Sequence, residues 1–459
     1  MRGDAVTAPP SADAVRRRLC GAALGLLSTA ATYVATPDTW KEAYERAAAP
    51  GDTVVLLDGL YETCLVLGRA GRDGAPITYR AARAGGAVAR CVRIAPDARF
   101  VRLEGLSVLD APGHGVTIEG DDIVLDGVTV ARAKTHGILF ACRSRDEPCS
   151  DPPRRNLVSA VDVGWSGNTG IKFDAGEDNR IVASRFHHSH NNGFLENGDN
   201  VGVEVVNSEF DHNGVSWVAH GLYMKGRSGR LRRNRVHHNA GYGIHCWASC
   251  YGTPLAPYVI EENEVYENGR VRGSEIVVGG SGNEAGPPND GRPHHVVVRR
   301  NLVHDGSACG LHVMCNCAEP GQGEGVLFAD NRAWNNRRGA LCVQGCADLE
   351  VAFRRNTFWS DDPGAPLVWL HSARLDEGAL DTNAYWQSAS GAGSPGTIVW
   401  NGRKQSLEGA RAGGALQNRT GCAMPYDVPA VIEPSGRWLE GRPLPVPVEG
   451  AEGAASGPP

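Results

Sequence analysis

The stretch "NRVHHNAGYGIHC" at residues 234–246 carries the pattern that decides the fold. It contains an apolar residue, Val236, and then Gly243, which stands immediately before a second apolar stretch. Two other stretches share the arrangement, "SRFHHSHNNGFLE" at 184–196 and "NLVHDGSACGLHV" at 301–313. The same interval separates Phe186 from Gly193, Val303 from Gly310, Val108 from Gly115, Val130 from Gly137 and Val163 from Gly170. One interval recurring along a chain indicates similar units stacked on one another.

The apolar residue before each glycine defines an inner column that extends over most of residues 100–402. Its members are Val108, Val130, Val163, Phe186, Phe210, Val236, Val265, Val303, Ala333 and Phe358. The shortest interval, from Val108 to Val130, is about 22 residues, which accommodates three short strands and three turns. We therefore predict an all-β fold, a single-stranded parallel β-helix (a solenoid) of roughly ten or more turns.

Amides and hydroxyls form a second column two residues before the inner one. Its members are Ser184, Ser208, Asn234, Asn263, Asn301, Asn331 and Asn356. Stacked at the spacing of neighbouring strands, side chains of this type form a hydrogen-bonded ladder along one turn of the solenoid.

Composition agrees with this fold. The chain has 59 Gly and 27 Pro in 459 residues, and this abundance of turn formers beside short apolar runs is typical of many strands joined by tight turns. The net charge is −6 without a basic stripe, so we expect no nucleic-acid partner.

The N-terminus predicts export. Three arginines, at 16–18, precede an apolar run at 19–27 and small residues at 28–30, so we assign residues 1–31 to a signal peptide. The run is too short to span a membrane, and we expect no transmembrane segment. The predicted location is extracellular or periplasmic, and the predicted state is a monomer.

The cysteines agree with an oxidising compartment. Of the 13 Cys, one lies in the predicted signal, and the other twelve favour disulfides. Three pairs are close in sequence: Cys142 and Cys149, Cys246 and Cys250, and Cys342 and Cys346. The alternative is a zinc site made of Cys315, Cys317, Cys342 and Cys346, whose spacing is not a standard one for zinc.

Residues 32–99 are interpreted as an N-terminal cap and first coils. Thr39 is predicted to cap a helix with Trp40, Ala43, Tyr44 and Ala47 on its apolar side, ahead of the strand "TVVLL" at 53–57. Such a helix covers the open end of a solenoid. Residues 100–402 form the β-helix, and residues 403–459 an extension that loses the periodicity and is partly disordered.

Three stretches carry a resemblance to known proteins. "APGDTVVLLDGLYE" at 49–62 and "GAPITYRAA" at 74–82 resemble the N-terminal cap of secreted polysaccharide lyases of the alginate lyase and chondroitinase B group. "HGLYMKGRSGRLRRNRVHHN" at 220–239 is similar to the repeat that mannuronan C5-epimerases share. The resemblance implies a right-handed β-helix and an acidic polysaccharide as partner. The lyases of this group use a Lys and an Arg beside a bound Ca²⁺. The epimerases have an Asp-Pro-His motif, which this sequence lacks.

A β-helix core is filled by side chains, so a ligand must bind on an outer face. Alternation after the repeat glycine predicts the inward residues Ile138, Ile171, Phe194, Leu222, Ile244, Ile276 and Leu311. It predicts one outward column of Leu139, Lys172, Leu195, Tyr223, His245, Val277 and His312, and a second of Ala141, Asp174, Asn197, Lys225, Trp247, Gly279 and Met314. Polar groups concentrate between Lys172 and Trp247, where the insertion "VSWVAH" at 215–220 also lies.

This patch suits β-elimination on a uronate polymer, which needs a base for the C5 proton and an acid for the leaving oxygen. The candidate base is Lys225 or His245. Lys225 can act as a base only if burial lowers the pKa of its ammonium group. Tyr223 is the candidate acid, and His220, in the insertion, is placed to reach over the patch.

The same patch offers binding groups. Asp174, Asn197 and Glu196 carry oxygens of the kind that Ca²⁺ prefers. Trp247 is expected to stack on a sugar ring, and Lys172 and Arg227 to bind substrate.

Several alternatives stay open. Glu196 falls in an inward column; a local shift of strand phase is favoured over a carboxylate kept there for function. The pairs His187–His188 and His237–His238 are interpreted as turn residues rather than as a metal site. The expected function is that of an exported carbohydrate-active enzyme, first of all a lyase, acting on an acidic polysaccharide. The alternatives are an epimerase, a glycan-binding protein without activity and a glycoside hydrolase. The last needs two facing carboxylates, and only Asp174 is clearly outward.

Overall fold

The structure, a computed structural model, describes residues 30–144, 146, 148–247, 250–280, 293–314, 325–344, 350–371, 379–387, 397–400 and 402–406. Within these ranges the chain winds into a parallel β-helix. Each complete turn contributes one strand to each of three sheets, of 14, 13 and 14 strands. We call these the first, second and third sheets, in the order in which the chain visits them.

The first sheet consists of Thr32–Ala35, Thr53–Leu56, Ile77–Ala81, Arg99–Glu104, Asp121–Asp126, Leu157–Ser159, Arg180–Val182, Glu204–Val206, Arg230–Arg232, Tyr258–Glu261, Val296–Arg299, Val326–Ala329, Val351–Arg354 and Leu380–Asp381. The second consists of Gly59–Tyr61, Ala87–Ala89, Ser107–Leu109, Thr129–Ala131, Asp162–Gly164, Arg185–His187, Glu209–Asp211, Arg235–His237, Glu264–Tyr266, Leu302–His304, Arg332–Trp334, Thr357–Ser360 and Ala384–Gln387. The third consists of Leu65–Leu67, Val92–Ile94, Val116–Ile118, Ile138–Phe140, Ile171–Glu177, Phe194–Val201, Leu222–Met224, Ile244–Cys246, Ile276–Val278, Cys309–Met314, Gly339–Gln344, Val368–His371, Thr397–Trp400 and the antiparallel Arg403–Ser406.

The core is a stack of apolar side chains between the three sheets. The predicted inner column is confirmed, because Val236 pairs with Phe210 on one side and Val265 on the other, and all three are fully buried. The predicted inward column after the repeat glycine is confirmed in the same way, from Ile138 to Leu311. Strand pairing at ~4.8 Å per turn keeps equivalent residues in register over the length of the solenoid.

Most corners of the solenoid that leave the first and second sheets consist of a single residue with a left-handed backbone. After the second sheet these are His188, His212, His238, Glu267 and Asp305, with φ between 52° and 55°. Short polar residues and His tolerate this conformation better than branched ones do. The second residue of each polar pair is therefore a turn residue, as interpreted, whereas the first residue ends the strand before the turn.

The predicted amide ladder is confirmed at the corner between the first and second sheets. The backbone N–H and Nδ2 of Asn263 both donate to Oδ1 of Asn301, each at 3.0 Å. Asn301 donates in the same way to Asn331, and its Nδ2 also donates to the carbonyl of Ile260 at 2.9 Å. The ladder continues through Asn356 to Asn383, one turn beyond the prediction.

A second ladder at the next corner was not predicted. It links Asn213, Asn239 and Asn268, and the following position is occupied by Gly306 instead of Asn. The carboxyl of Glu275 fills the gap, since a Cβ on Gly306 would lie 2.5 Å from its Oε1. Glu275 accepts from the backbone N–H and Nδ2 of Asn268, at 3.0 and 2.5 Å. Burial raises the pKa of Glu275 to about 8, so the group is largely uncharged at neutral pH.

The N-terminal cap is a strand followed by a short helix, Trp40–Arg46, which buries Trp40 and Ala43. Thr39 is its N-cap residue as predicted, but its side chain makes no capping bond. The hydroxyl instead accepts from the backbone N–H of Thr36 at 2.9 Å, because the tight turn before the helix brings that donor closer.

Four disulfides join described cysteines: Cys64–Cys91, Cys142–Cys149, Cys246–Cys250 and Cys309–Cys342. The predicted disulfide between Cys342 and Cys346 is wrong. Cys342 bonds instead to Cys309 on the adjacent turn of the third sheet, and the Cα atoms of these two residues lie 5.9 Å apart. The bond also removes Cys342 from the alternative zinc set, whose other members lie outside the described residues.

The predicted signal peptide, except its last two residues, and nearly all of the C-terminal extension lie outside the described residues. Among the described residues, no helix combines the length and the apolar character that crossing a membrane requires.

We expect Asn301→Ala to lower the free energy of unfolding by about 3 kcal/mol, because it leaves buried donors of Asn263 and the Ile260 carbonyl without partners. Denaturant unfolding measures the change. The control is Asn191→Ala, which removes a partly exposed amide with one 3.3 Å side-chain bond. Equal effects of the two substitutions would contradict the ladder's role.

We expect Glu275→Gln to reduce the loss of folding stability that accompanies a rise in pH. The folded pKa of about 8 exceeds the ordinary 4.5, so the stability that Glu275 contributes is complete below pH 4.5 and is lost as pH rises to about 8. The slope is about 1.4 kcal/mol per pH unit in that window. A Gln amide stays neutral, and its oxygen can accept both Asn268 donors. Melting temperatures from pH 5 to about 9 test this, with exposed Glu62→Gln as control; parallel curves for wild type and Glu275→Gln would refute it.

Candidate functional site

The predicted outward column of the third sheet is confirmed by strand register. Lys172 pairs with Leu195, Leu195 with Tyr223, and Tyr223 with His245. The column continues through Val277 to His312. These side chains therefore share one outer face, and neighbours along it lie ~4.8 Å apart.

A cavity of about 420 Å³ opens on this face. Its lining residues are Trp217, Val218, His220, Tyr223, Tyr242, His245, Trp247, Arg272, Gly273, Ser274, Ala308, His312, Met314, Arg338 and Gln344. The insertion at 215–220 supplies one wall. Of the described residues that line the cavity, two are arginines and none carries a carboxylate.

His245 and His220 form a chain of hydrogen bonds behind the cavity surface. Nε2 of His245 lies 3.0 Å from the carbonyl of Gly279, to which it donates, so Nδ1 is the acceptor. Nε2 of His220 donates to that Nδ1 at 3.2 Å, and Nδ1 of His220 accepts from the backbone N–H of Tyr242 at 3.1 Å. Both rings are buried, and burial lowers the pKa of His245 to about 4 and that of His220 well below its ordinary value. With every ring nitrogen engaged in a hydrogen bond, the two histidines hold the neighbouring groups in place.

Tyr223 stands on this pair. Its ring stacks on His245 with centroids 5.1 Å apart and meets the edge of His220 at 5.0 Å. The ammonium of Lys225 lies 5.2 Å from the Tyr223 ring centre and 5.9 Å from that of Trp247. Lys225 is only partly buried, so the groove does not enclose it as the sequence interpretation required. Tyr223, Lys225 and Trp247 thus form one cluster at the cavity edge.

His312 lines the other end of the cavity. Its Nδ1 lies 3.1 Å from Oγ of Ser274, and its buried Nε2 has no hydrogen-bond partner among the described residues. Burial, Arg338 and His245 lower the pKa of His312 to about 3, so the ring is neutral. His312 lies three turns from Tyr223, a spacing of ~14 Å, so one sugar residue cannot contact both side chains at once.

The predicted calcium ligands are not brought together. Asp174 binds the Lys172 ammonium at 2.6 Å and accepts from Nδ2 of Asn197 at 3.2 Å on the outer face. Glu196 lies inside the solenoid, fully buried. Within the described part of the chain no three His, Cys, Asp or Glu side chains converge on a metal position. The donor set therefore does not fit Ca²⁺.

The inward position of Glu196 corrects the expected phase shift. Phe173 pairs with Glu196 in normal register, and the irregularity follows, with Ala175 opposite Asp199. The Glu196 carboxylate accepts from the backbone N–H of Gly226 at 3.1 Å and from the Tyr258 hydroxyl at 3.1 Å. Burial raises the pKa of Glu196 to about 7. The carboxylate thus holds the turn that carries Lys225 from inside.

Arg227 lies apart from the cavity. It follows the turn after the third sheet and its guanidinium lies 5.9 Å from the ring of Tyr251. Lys172 likewise sits two turns before Tyr223 and is paired with Asp174. Neither residue lines the cavity.

Sequence reasoning missed Tyr242, Ser274, Arg272 and Arg338. The first two lie two residues before the third-sheet strands Ile244–Cys246 and Ile276–Val278, as His220 does before Leu222–Met224. The carbonyl of each accepts from the backbone N–H of a glycine one turn earlier. That position forms a third column, which the in-and-out alternation of strands does not cover. The two arginines lie in corner loops, where repeat periodicity carries no signal.

Comparison with known proteins agrees with this architecture. The profile of the family described as "Right handed beta helix region" matches residues 90–256. No curated protein matches the sequence. The chain is thus a right-handed parallel β-helix, as the sequence predicted.

Solved structures of similar shape include enzymes. A mannuronic acid specific polysaccharide family 6 lyase from human gut microbiota has a TM-score of 0.53 at 16% identity, over 78% of this chain and 87% of that chain. The catalytic unit of a thermostable GH87 α-1,3-glucanase from Streptomyces thermodiastaticus has a TM-score of 0.54 at 12% identity, over 82% and 70%. The mannuronan C-5 epimerase module of Azotobacter vinelandii has a TM-score of 0.42 at 14% identity, over 77% and 83%, too low to argue from. At these identities the likeness shows the fold alone.

Proposed function

We propose that the protein is a secreted carbohydrate-active β-helix protein that cleaves an acidic, uronate-containing polysaccharide by β-elimination. The observation that carries the proposal is the composition of the cavity. Arginines and aromatic rings line it, and the described lining has no carboxylate. Such a surface attracts an anionic sugar polymer and repels none of its charges.

The cations suit carboxylate recognition. Arg272 lies 5.7 Å from the ring of Trp217, and Arg338 lies 4.3 Å from that of Trp369. Stacking on an aromatic ring orders the planar guanidinium. The arginine therefore loses less conformational entropy when it binds a carboxylate in a bidentate manner. A neutralised carboxylate makes the C5 proton of a uronate more acidic, which is the first requirement of β-elimination.

Tyr223 and Lys225 are the proposed proton-transfer pair. They are close enough to face one sugar residue, and Tyr223 is held in place by the engaged rings of His245 and His220. In the proposed reaction the bound polymer completes the burial of Lys225, which then takes the C5 proton. Tyr223 protonates the leaving glycosidic oxygen, and a double bond forms between C4 and C5. Trp247, beside both, offers a ring edge and face for a sugar.

The structural neighbours support a polysaccharide as the ligand but disagree on the reaction, since one is a lyase and another a glucanase. Hydrolysis by the usual route needs two carboxylates about 5–10 Å apart across the scissile bond. The described cavity lining offers none, which favours elimination. An epimerase would use the same proton abstraction and then return a proton to the opposite face of C5.

The direct test is incubation of the full chain with alginate, pectate and glycosaminoglycans. The expected result is a rise in ultraviolet absorbance from unsaturated uronides with at least one polymer. If none gives a rise but solvent deuterium enters C5, the activity is epimerisation. If neither occurs, the proposal of an enzyme is wrong, and a binding measurement with the same polymers decides whether the cavity is a glycan-binding site.

We expect Tyr223→Phe to lower kcat by at least about 100-fold, because the phenol proton is lost while the ring stack is kept. Lys225→Ala should do the same. The matched controls are Tyr266→Phe, on the outer face of the second sheet, and Lys41→Ala, in the N-terminal helix. Full activity of Tyr223→Phe would move the reacting site elsewhere.

We expect Arg272→Ala to weaken binding of the polymer about 10- to 100-fold, the usual range for loss of one charge-assisted pair. Affinity is measured by titration with an oligouronate. Exposed Arg337→Ala, adjacent to Arg338 in sequence but outside the cavity lining, is the control. A similar loss in both variants would indicate unspecific charge attraction.

A further inference from the structure

The cavity of the candidate site is elongated along the solenoid axis. Its lining residues come from five successive turns of the third sheet, from the turn of Leu222–Met224 to that of Gly339–Gln344. Because neighbouring turns lie ~4.8 Å apart, the cavity extends over ~19 Å. One residue of an extended sugar polymer is about as long as one turn is high. A chain of about four sugars can therefore lie along the cavity, parallel to the axis.

Two arginines mark the opposite ends of this length. Arg272 reaches back toward the Tyr223 end, since its guanidinium lies 5.7 Å from the ring centre of Trp217. Arg338 comes from the last of the five turns, and its guanidinium lies 4.3 Å from the ring centre of Trp369. In the proposed reaction Arg272 is thus placed for the carboxylate of the reacting sugar, whereas Arg338 is too distant to serve the same sugar.

His312 lies at the distal end of the cavity and has an unused hydrogen-bonding atom. The residue is 5% exposed, and its buried Nε2 has no hydrogen-bond partner among the described residues. Its Nδ1 lies 3.1 Å from Oγ of Ser274, which fixes the orientation of the ring. A buried polar atom without a partner is unfavourable. Because His312 lines the cavity, a bound ligand can supply the missing partner.

The electrostatics of this end favour an anionic ligand group. Burial and the nearby charge of Arg338 lower the pKa of His312 to about 3, so the ring is neutral. A carboxylate can accept from the Arg338 guanidinium and from an N–H at Nε2 of His312 together. The Ser274 hydroxyl then donates to Nδ1, which leaves the ring hydrogen on Nε2.

We propose that His312 and Arg338 form a second carboxylate subsite, which binds an acidic sugar about three residues along the chain from the sugar at Tyr223. The class of ligand, an acidic polysaccharide, rests on the proposed function. The subsite adds the direction of the polymer, parallel to the solenoid axis, and the length of about four sugars at which binding becomes complete.

Trp247 supports the same direction. It lies one turn after Tyr223, between the two ends of the cavity, and its buried Nε1 has no hydrogen-bond partner among the described residues. An indole N–H only donates, so a hydroxyl or ring oxygen of an intermediate sugar is a suitable partner. Two unsatisfied nitrogens, of Trp247 and His312, therefore line one cavity along the path of the proposed chain.

The test is titration of the full chain with oligouronates of two lengths, a disaccharide and a tetrasaccharide. The Tyr223→Phe substitution is present throughout, so that cleavage does not consume the ligand. We expect the tetrasaccharide to bind at least about 10-fold more tightly than the disaccharide, because only the longer chain reaches both ends. His312→Leu and Arg338→Gln should each reduce this affinity ratio. His312→Gln, which keeps an N–H near the position of Nε2, should retain most of it.

The matched control is Arg337→Ala, an exposed residue outside the cavity lining, which should leave the ratio unchanged. Each ratio compares two ligands on one variant, so a partial loss of folded protein does not alter it. Equal affinity for the two lengths overturns the subsite, and so does an unchanged ratio in both His312→Leu and Arg338→Gln. Absence of binding by any oligouronate overturns the subsite together with the proposed function. Length-dependent binding that His312→Leu reduces, with no cleavage by the wild-type chain, supports the subsite and rejects only the lyase activity.

Discussion

The structure depends on one constraint, the parallel pairing of each strand with its equivalent one turn later. Pairing in register brings like residues to ~4.8 Å from one another, so every position of the repeat becomes a column. Apolar columns fill the interior, and the buried stack from Ile138 to Leu311 is one of them. The pairing also obliges every corner to repeat its geometry, which is why single left-handed residues recur after the strands.

Columns of polar groups are stable inside such a stack only when they satisfy one another. The asparagine ladders achieve this, because each amide accepts two bonds from one neighbour and donates to the next turn. Where Gly306 interrupts the second ladder, a carboxyl from Glu275 completes it. Ser274, which precedes Glu275 in the sequence, contacts His312 at the end of the cavity.

The cavity arises where the repeat is interrupted. The insertion at 215–220 and the corner arginines enclose an otherwise flat sheet face, and enclosure removes water from the histidines. Buried imidazoles whose nitrogens are all hydrogen-bonded are rigid, and they hold the Tyr223 ring in place.

The sequence alone determined the periodic features: the parallel β-helix, the inner columns, the first ladder, and the shared face of Tyr223, His245 and His312. These features follow from the constant spacing between the inner apolar residue and the repeat glycine. In-register pairing gives equivalent residues of successive turns the same environment. The tertiary structure decided the features that depart from the sequence repeat. Glu196 points inward because the strand irregularity comes after it, and Cys342 bonds to Cys309 on the adjacent turn. Which ring nitrogens are engaged, and which loops close the cavity, depend on contacts between distant residues that no local pattern records.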